Sequence, residues 1–195
     1  MHFFLFPLRQ VSTSMIPDLP ENSFVMVSPI VNKVERGDVV LLESKNTQEF
    51  SKGIIFLDSL CRFFTAQQIS YLENSDFPNK NNQLRRVIGM PGDIIYMRDY
   101  VLYVKPAGEK HFLTEFEVIE KKYNATFCAT PAGWDSSLAV TGSFEEIKLG
   151  NDEYFVLGDN RKSCSDSRLW GCISKNDIKA KSLFCYFPFN KIKAY

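Results

Sequence analysis

The chain has no apolar run approaching the roughly 20 residues needed to span a bilayer. Its first eight residues, Met1 to Leu8, read MHFFLFPL. That stretch is too short to span, is broken by Pro7, and lacks the small-residue cleavage pattern of a secretory leader. It reads either as the trailing end of a longer anchor outside this chain or as a first strand. There is also no net charge: 23 basic residues balance 23 acidic ones. This excludes a nucleic-acid binder that relies on a broad positive field. Histidine is nearly absent, at two residues, and no cysteine pair has CxxC spacing, so neither a zinc ribbon nor a redox dithiol is indicated. The five cysteines (Cys61, Cys128, Cys164, Cys172 and Cys185) are odd in number, so at least one thiol stays unpaired within the chain. Nothing in the sequence points to a metal or an organic cofactor, and there is no internal repeat.

Hydrophobic residues make up 45% of the 195, enough for an ordinary core. Phenylalanine is plentiful at 17, in clusters such as Phe3-Phe4, Phe63-Phe64 and the stretch from Phe184 to Phe189. Core packing accounts for most of them, and interfacial contact with lipid accounts for a share. Pro7, Pro17, Pro20 and Pro29 exclude helix from the early segment. Short strands are predicted at 23–27, 39–42, 83–88, 94–97, 101–104, 154–157 and 182–187, with turns at Glu35-Arg36-Gly37-Asp38 and Met90-Pro91-Gly92-Asp93. The strands at 94–97 and 101–104 form a hairpin around Arg98-Asp99-Tyr100. Apolar residues recur at helical spacing between Ser51 and Ser75, which predicts an amphipathic helix. Residues 105–147 read as polar and irregular. The chain is therefore expected to be mostly β, with one helical insertion.

Three segments carry the chemistry. The first is Ser12-Thr13-Ser14-Met15-Ile16-Pro17, the second runs from Arg85 to Asp93 (RRVIGMPGD), and the third from Gly158 to Gly171 (GDNRKSCSDSRLWG). Singly, each reads as an ordinary turn or polar loop. In this order, together with Glu35-Arg36-Gly37-Asp38-Val39-Val40, they resemble the boxes of bacterial type I signal peptidases.

The resemblance implies a β catalytic domain formed by residues 1–104 and 148–195, with a small inserted β cap region at 105–147 and a partly helical insertion at 44–82. It implies a serine endopeptidase that removes signal peptides from exported preproteins. By position, Ser14 corresponds to the nucleophile and Ser12 to the hydroxyl that completes the oxyanion hole with the Ser14 backbone N–H. Asp159, Asn160, Asp166 and Arg168 correspond to scaffold around the site, the last two as an ion pair. The substrate would lie extended along residues 6–12 and 83–85, adding a strand. The resemblance further implies work at the cytoplasmic membrane, on its outer face, with signal peptides and membrane lipid as partners and no nucleic acid. The anchor would then lie upstream, or the apolar residues Phe3 to Leu8 and the 51–75 helix would give peripheral contact.

Two positions depart from the family pattern. Arg85 stands where the family has the lysine of its serine–lysine dyad. A buried lysine can lose its proton near neutrality, whereas arginine stays charged. Cys164 stands where the family often has a serine that helps to place that lysine, and a thiol is a weaker hydrogen-bond partner. Candidate substitutes for the base are His2, His111, Lys80 and Lys162, each of which also reads as a solvated loop residue. These departures motivate an alternative: a catalytically impaired relative that binds exported chains or partner proteins. A self-cleaving repressor of related fold is a third reading, but the chain has neither its Ala-Gly cleavage site nor its DNA-binding helix pair.

Overall fold

The computed structural model describes residues 5–42, 83–127 and 142–195. The helix expected at 51–75, and most of the insertion expected at 44–82, lie outside the described residues. The strands are β1 (Phe6–Arg9), β2 (Phe24–Ser28), β3 (Val39–Leu42), β4 (Gln83–Gly89), β5 (Ile94–Arg98), β6 (Val101–Lys105), β7 (Leu113–Thr114), β8 (Phe144–Lys148), β9 (Glu153–Leu157), β10 (Ile173–Ser174), β11 (Ile178–Phe187) and β12 (Lys193–Ala194).

They form two antiparallel sheets. The larger runs β1-β2-β11-β3-β4-β9-β10, with β12 also paired to β11, and the smaller runs β7-β6-β5-β8. The protein is mostly β, as the short apolar runs predicted. β3 lies inside the large sheet and all four of its residues are buried. Val39 and Leu41 join one core cluster, and Val40 and Leu42 join another. This is why the sequence reads VVLL without alternation: a strand covered on both faces needs apolar residues throughout.

The smaller sheet packs on the large one through Ile95, Met97, Leu102 and Val104, which share a cluster with Ile88, Phe155 and Leu157 of β4 and β9. Its hairpin turns at Asp99 and Tyr100, both with positive φ (49° and 66°). That is the backbone a two-residue hairpin requires, but it disfavours a bulky residue such as tyrosine. Hydrogen bonds hold the turn from both sides. Tyr100 N donates to Gly142 O at 2.8 Å, and Arg161 Nη1 donates to Tyr100 O at 2.8 Å.

The smaller sheet draws on residues 94–105 as well as on the later stretch. Within 105–147, read from sequence as irregular, the structure has β7, a short helix at Glu115–Val118 and β8. β8 reads FEEIK and mostly faces solvent, so it lacks the apolar alternation that identifies a strand.

Candidate active site

Ser14 sits in a one-turn 3₁₀ segment, Thr13–Met15, just after β1. Met15 anchors the turn in the core, at 0% exposure. The carbonyl of Ser14 accepts from Asn160 N at 2.9 Å, and that of Thr13 from Asn160 Nδ2 at 3.1 Å. The third sequence segment thus grips the first. Gly158 is required there, because a Cβ on it would lie 2.5 Å from Cys164 Sγ and 2.8 Å from Ser14 O.

The Ser14 side chain is buried beside three groups. Ser12 Oγ is 2.9 Å from Ser14 Oγ. Arg85 Nη1 donates to Ser14 Oγ at 3.0 Å. Gln10 Nε2 lies 3.4 Å away and donates to Ser12 O at 2.9 Å and Ser12 Oγ at 3.0 Å. These residues line a cleft of about 340 Å³ with Leu8, Gln83 and Cys164. β1 ends the large sheet's strand order, and Gln83–Arg85 pairs with β3 alone, since the pairing to β9 starts at Arg86. Both stretches that line the cleft therefore lack a strand partner on one side among the described residues.

Arg85 is a donor with every hydrogen placed. Nε and Nη2 donate to Ser165 O (2.8 and 2.6 Å), Nη2 also to Gln83 Oε1 (2.8 Å), and Nη1 to Leu84 O (2.6 Å) as well as to Ser14 Oγ. A guanidinium has five N–H groups and no acceptor. Burial, with Arg168 adding to it, pulls the Arg85 pKa below its ordinary value, against the pull of Cys164 and Asp166. Even so, about 7 kcal/mol separates an ordinary arginine from its neutral form at pH 7. The only acceptor within hydrogen-bond distance for the Ser14 proton, among the described residues, is Ser12 Oγ.

Cys164 also lines the cleft. Its thiol donates to Asp166 Oδ2 at 2.8 Å and meets Arg168 Nη2 at 3.2 Å. Burial first, and then the Asp166 carboxylate, push it up to about 11. Asp166 and Arg168 form a close ion pair, with Nε–Oδ1 at 2.8 Å. Burial alone would raise the Asp166 carboxyl, but the Arg168 hydrogen bonds and charge outweigh it and hold the group low.

Asp159 turns away from Ser14. Its carboxylate is held by Arg86 at 2.9 and 2.7 Å, and Arg86 also reaches Asp18 at 3.0 Å and lies over the Tyr123 ring at 4.4 Å. Arg85 and Arg86 leave opposite faces of β4, as neighbours on a strand must, so one enters the cleft and the other enters this buried network. Arg161, next to Asn160, pairs with Glu115 at 2.5 and 2.7 Å, and both side chains are fully buried.

Of the sequence candidates, Ser12, Ser14, Arg85 and Cys164 come together at the cleft, Asp166 and Arg168 stand behind Cys164, and Asn160 braces the Ser14 turn. Lys162 is exposed and does not line the cleft, and His111 is exposed in the β6–β7 loop. His2 and Lys80 lie outside the described residues. Cys164, Cys172 and Cys185 are free thiols, whereas Cys61 and Cys128 lie outside. Sequence reading did not single out Gln10, Gln83, Arg86, Glu115 or Arg161. The last is in the third segment and Arg86 in the second, but Gln10 and Glu115 carry no local signal of their role.

Comparison with known proteins gives one consistent family. The family model for signal peptidase, peptidase S26, matches residues 1–187. Signal peptidase I P of Bacillus subtilis subsp. natto is 32% identical over 159 residues, which is 80% of this chain and 78% of that protein. Signal peptidase I T of Bacillus subtilis (strain 168) is 26% identical over 198 residues, covering 98% and 79%. A signal peptidase I of known structure from Enterococcus faecalis V583 overlaps only loosely, with a TM-score of 0.38 and 19% identity over 77% of this chain and 97% of that one. On the extent of the family match and the identity to the first of these relatives, this chain belongs to the signal peptidase family, peptidase S26.

Proposed function

We propose that this chain is a membrane-associated serine endopeptidase that removes N-terminal signal peptides from exported preproteins, with Ser14 as nucleophile. One observation carries the reading. Ser14 Oγ lies at a cleft between two stretches of strand that, among the described residues, lack a partner on one side, within reach of Arg85 and Ser12. An extended peptide would add to β1 and to Gln83–Arg85 by backbone hydrogen bonds, which brings a scissile carbonyl against Ser14. Attack by Ser14 Oγ on that carbon forms a tetrahedral intermediate. Its oxyanion would be received by the Ser12 hydroxyl and the Ser14 backbone N–H, and each such donor contributes about 3–4 kcal/mol. The Ser14 proton passes to Ser12 Oγ, 2.9 Å away, as Ser12 gives its own to the oxyanion, while Arg85, charged and 3.0 Å away, stabilises the Ser14 oxygen during the transfer.

For the membrane, the supporting feature is an aromatic surface at one end of β2 and β11. Phe184, Phe187, Phe189 and Ile192 are exposed there, Phe189 at 77%. The Phe187 ring packs against Phe24 at 5.7 Å, and Phe24 pairs with the cleft residue Arg9. Exposed rings of this kind favour the bilayer interface. Among the described residues no helix is long and apolar enough to cross a membrane. The site would work on the outer face of the cytoplasmic membrane.

A second reading is favoured by the saturated donor set of Arg85. A cleft without a base would bind an extended exported chain and not turn it over. The deciding experiment is cleavage, in detergent or lipid, of a signal peptide with small residues before the cut, by wild type and Ser14→Ala. Cleavage lost in Ser14→Ala supports the peptidase. Equal silence of both, with peptide binding retained, supports the binding protein.

A further inference from the structure

We infer that Gln10 is a positioning residue that sets the direction of the Ser12–Ser14 hydroxyl pair. The inference rests on the reading of Ser14 as nucleophile. Gln10 is 5% exposed, and its backbone is pinned on both sides: Gln10 N donates to Ser23 O at 2.8 Å and Asn22 N donates to Gln10 O at 2.6 Å. Its carboxamide is therefore aimed by the β1–β2 connection. The contact to Ser12 O identifies the inner atom as the NH₂ group, since a carbonyl only accepts.

The hydrogens can be counted. Nε2 has two, and the shorter contacts take both: Ser12 O at 2.9 Å and Ser12 Oγ at 3.0 Å. Ser14 Oγ accepts one hydrogen from Arg85. A single hydrogen occupies the 2.9 Å line between the two serine oxygens. If Ser12 supplied it, Ser14 Oγ would accept twice and have no lone pair left for attack. If Ser14 supplies it, Ser12 Oγ accepts from Gln10 and from Ser14, and its own O–H is left to point into the cleft. The second arrangement leaves Ser14 a free lone pair and makes Ser12 a donor for the oxyanion. Gln10 supports it by occupying one Ser12 lone pair and fixing the Ser12 oxygen, which leaves Ser12 one lone pair to accept from Ser14 while its O–H turns to the cleft. Preorganised donors are effective because they need no reorientation during reaction.

The test is steady-state cleavage of a signal peptide with small residues before the cut, by the whole chain in detergent, comparing wild type, Gln10→Met and Gln10→Glu from pH 5 to 8. Methionine matches the length and removes both donors. Gln10→Met is expected to lower kcat about 10- to 100-fold while KM stays within about three-fold. Gln10→Glu has no donor when ionised and one when protonated. Its kcat relative to wild type is therefore expected to rise about ten-fold as pH falls from 7 to 5. A side chain needed only for packing would not give that opposite trend. If Gln10→Met loses its fold, the Gln10→Glu profile, read with its melting temperature at each pH, carries the decision. A wild-type kcat in Gln10→Met, a loss confined to KM, or a Gln10→Glu profile parallel to wild type overturns the inference while the peptidase reading stands. A wild type as silent as Ser14→Ala overturns both.

Discussion

Arg85 Nη1 and Ser14 Oγ lie 3.0 Å apart, and the hydrogen between them belongs to the arginine. The serine is held and electrostatically favoured as an anion, but its partner cannot take its proton. A lysine at position 85 would be different, because burial lowers an ammonium's pKa and can bring it toward neutrality. We expect Arg85→Lys to raise the cleavage rate at pH 8 by about 10²–10⁴-fold, the range of a general base. The wild-type rate should climb steadily with pH, whereas Arg85→Lys should climb and then level off above the lysine's pKa. A variant no faster than wild type would mean that a base outside the described contacts already serves Ser14.

Cys164 makes stability depend on pH at the alkaline end. Its thiol is pushed up to about 11, above the usual value near 9. The folded state thus prefers the protonated thiol. That contribution is complete below about pH 8.5 and is lost as pH rises through 9 to 11. The loss is on the order of 2 kcal/mol. Cys164→Ser cannot ionise in this range. Urea unfolding of the two proteins at pH 8 and pH 11 should show wild type losing ground to the variant. A constant difference across that range would contradict the burial assigned to this thiol.

Glu115→Gln should be among the most damaging single changes. Glu115 and Arg161 have fully buried side chains, and Tyr123 also donates to Glu115 at 2.5 Å. Removing one charge leaves the other without its counter-ion, which costs about 3–5 kcal/mol. Chemical denaturation reads the cost directly. Glu115→Gln combined with Arg161→Met should be less unstable than the single change, because no unpaired charge remains.

Gly158→Ala should disturb the cleft from behind, at a residue that does not itself line it. The added methyl would lie 2.5 Å from Cys164 Sγ and 2.8 Å from Ser14 O. The sulfur can rotate away, but the Ser14 carbonyl is fixed by Asn160 N. A destabilisation of about 1–3 kcal/mol is expected from the crowding. Peptide affinity or turnover should fall as well, because the Ser14 turn must shift. Pairing Gly158→Ala with Cys164→Ala should recover only part of the loss.

Several elements were legible because local chemistry dictates them. Pro91 followed by Gly92 demands a turn, and Gly92 has φ 84°, with Asp93 N on Met90 O at 3.1 Å. The short apolar runs at 94–97 and 101–104, on either side of Arg98-Asp99-Tyr100, read as a hairpin, and in it buried residues alternate with less buried ones. β8 was not legible, since FEEIK at a sheet edge spends its side chains on solvent. Gln10 and Glu115 were opaque for another reason. Gln10 meets its partners only through the turn of residues 12–14, and Glu115 meets Arg161 across 46 positions of sequence.

The sequence alone determined a mostly β chain of this family, because strand periodicity, turn glycines and ordered motifs are properties of neighbouring residues. It also determined that position 85 bears a permanent charge, because no environment in a protein readily deprotonates a guanidinium. Only the tertiary structure decided what that charge does. Adjacent residues of a strand point to opposite faces, so Arg85 reaches Ser14 while Arg86 disappears into Asp159 and Asp18. Which hydrogen points where in the cleft depends on distances between segments 71 and 80 residues apart in sequence, and such distances are fixed by packing, not by local order.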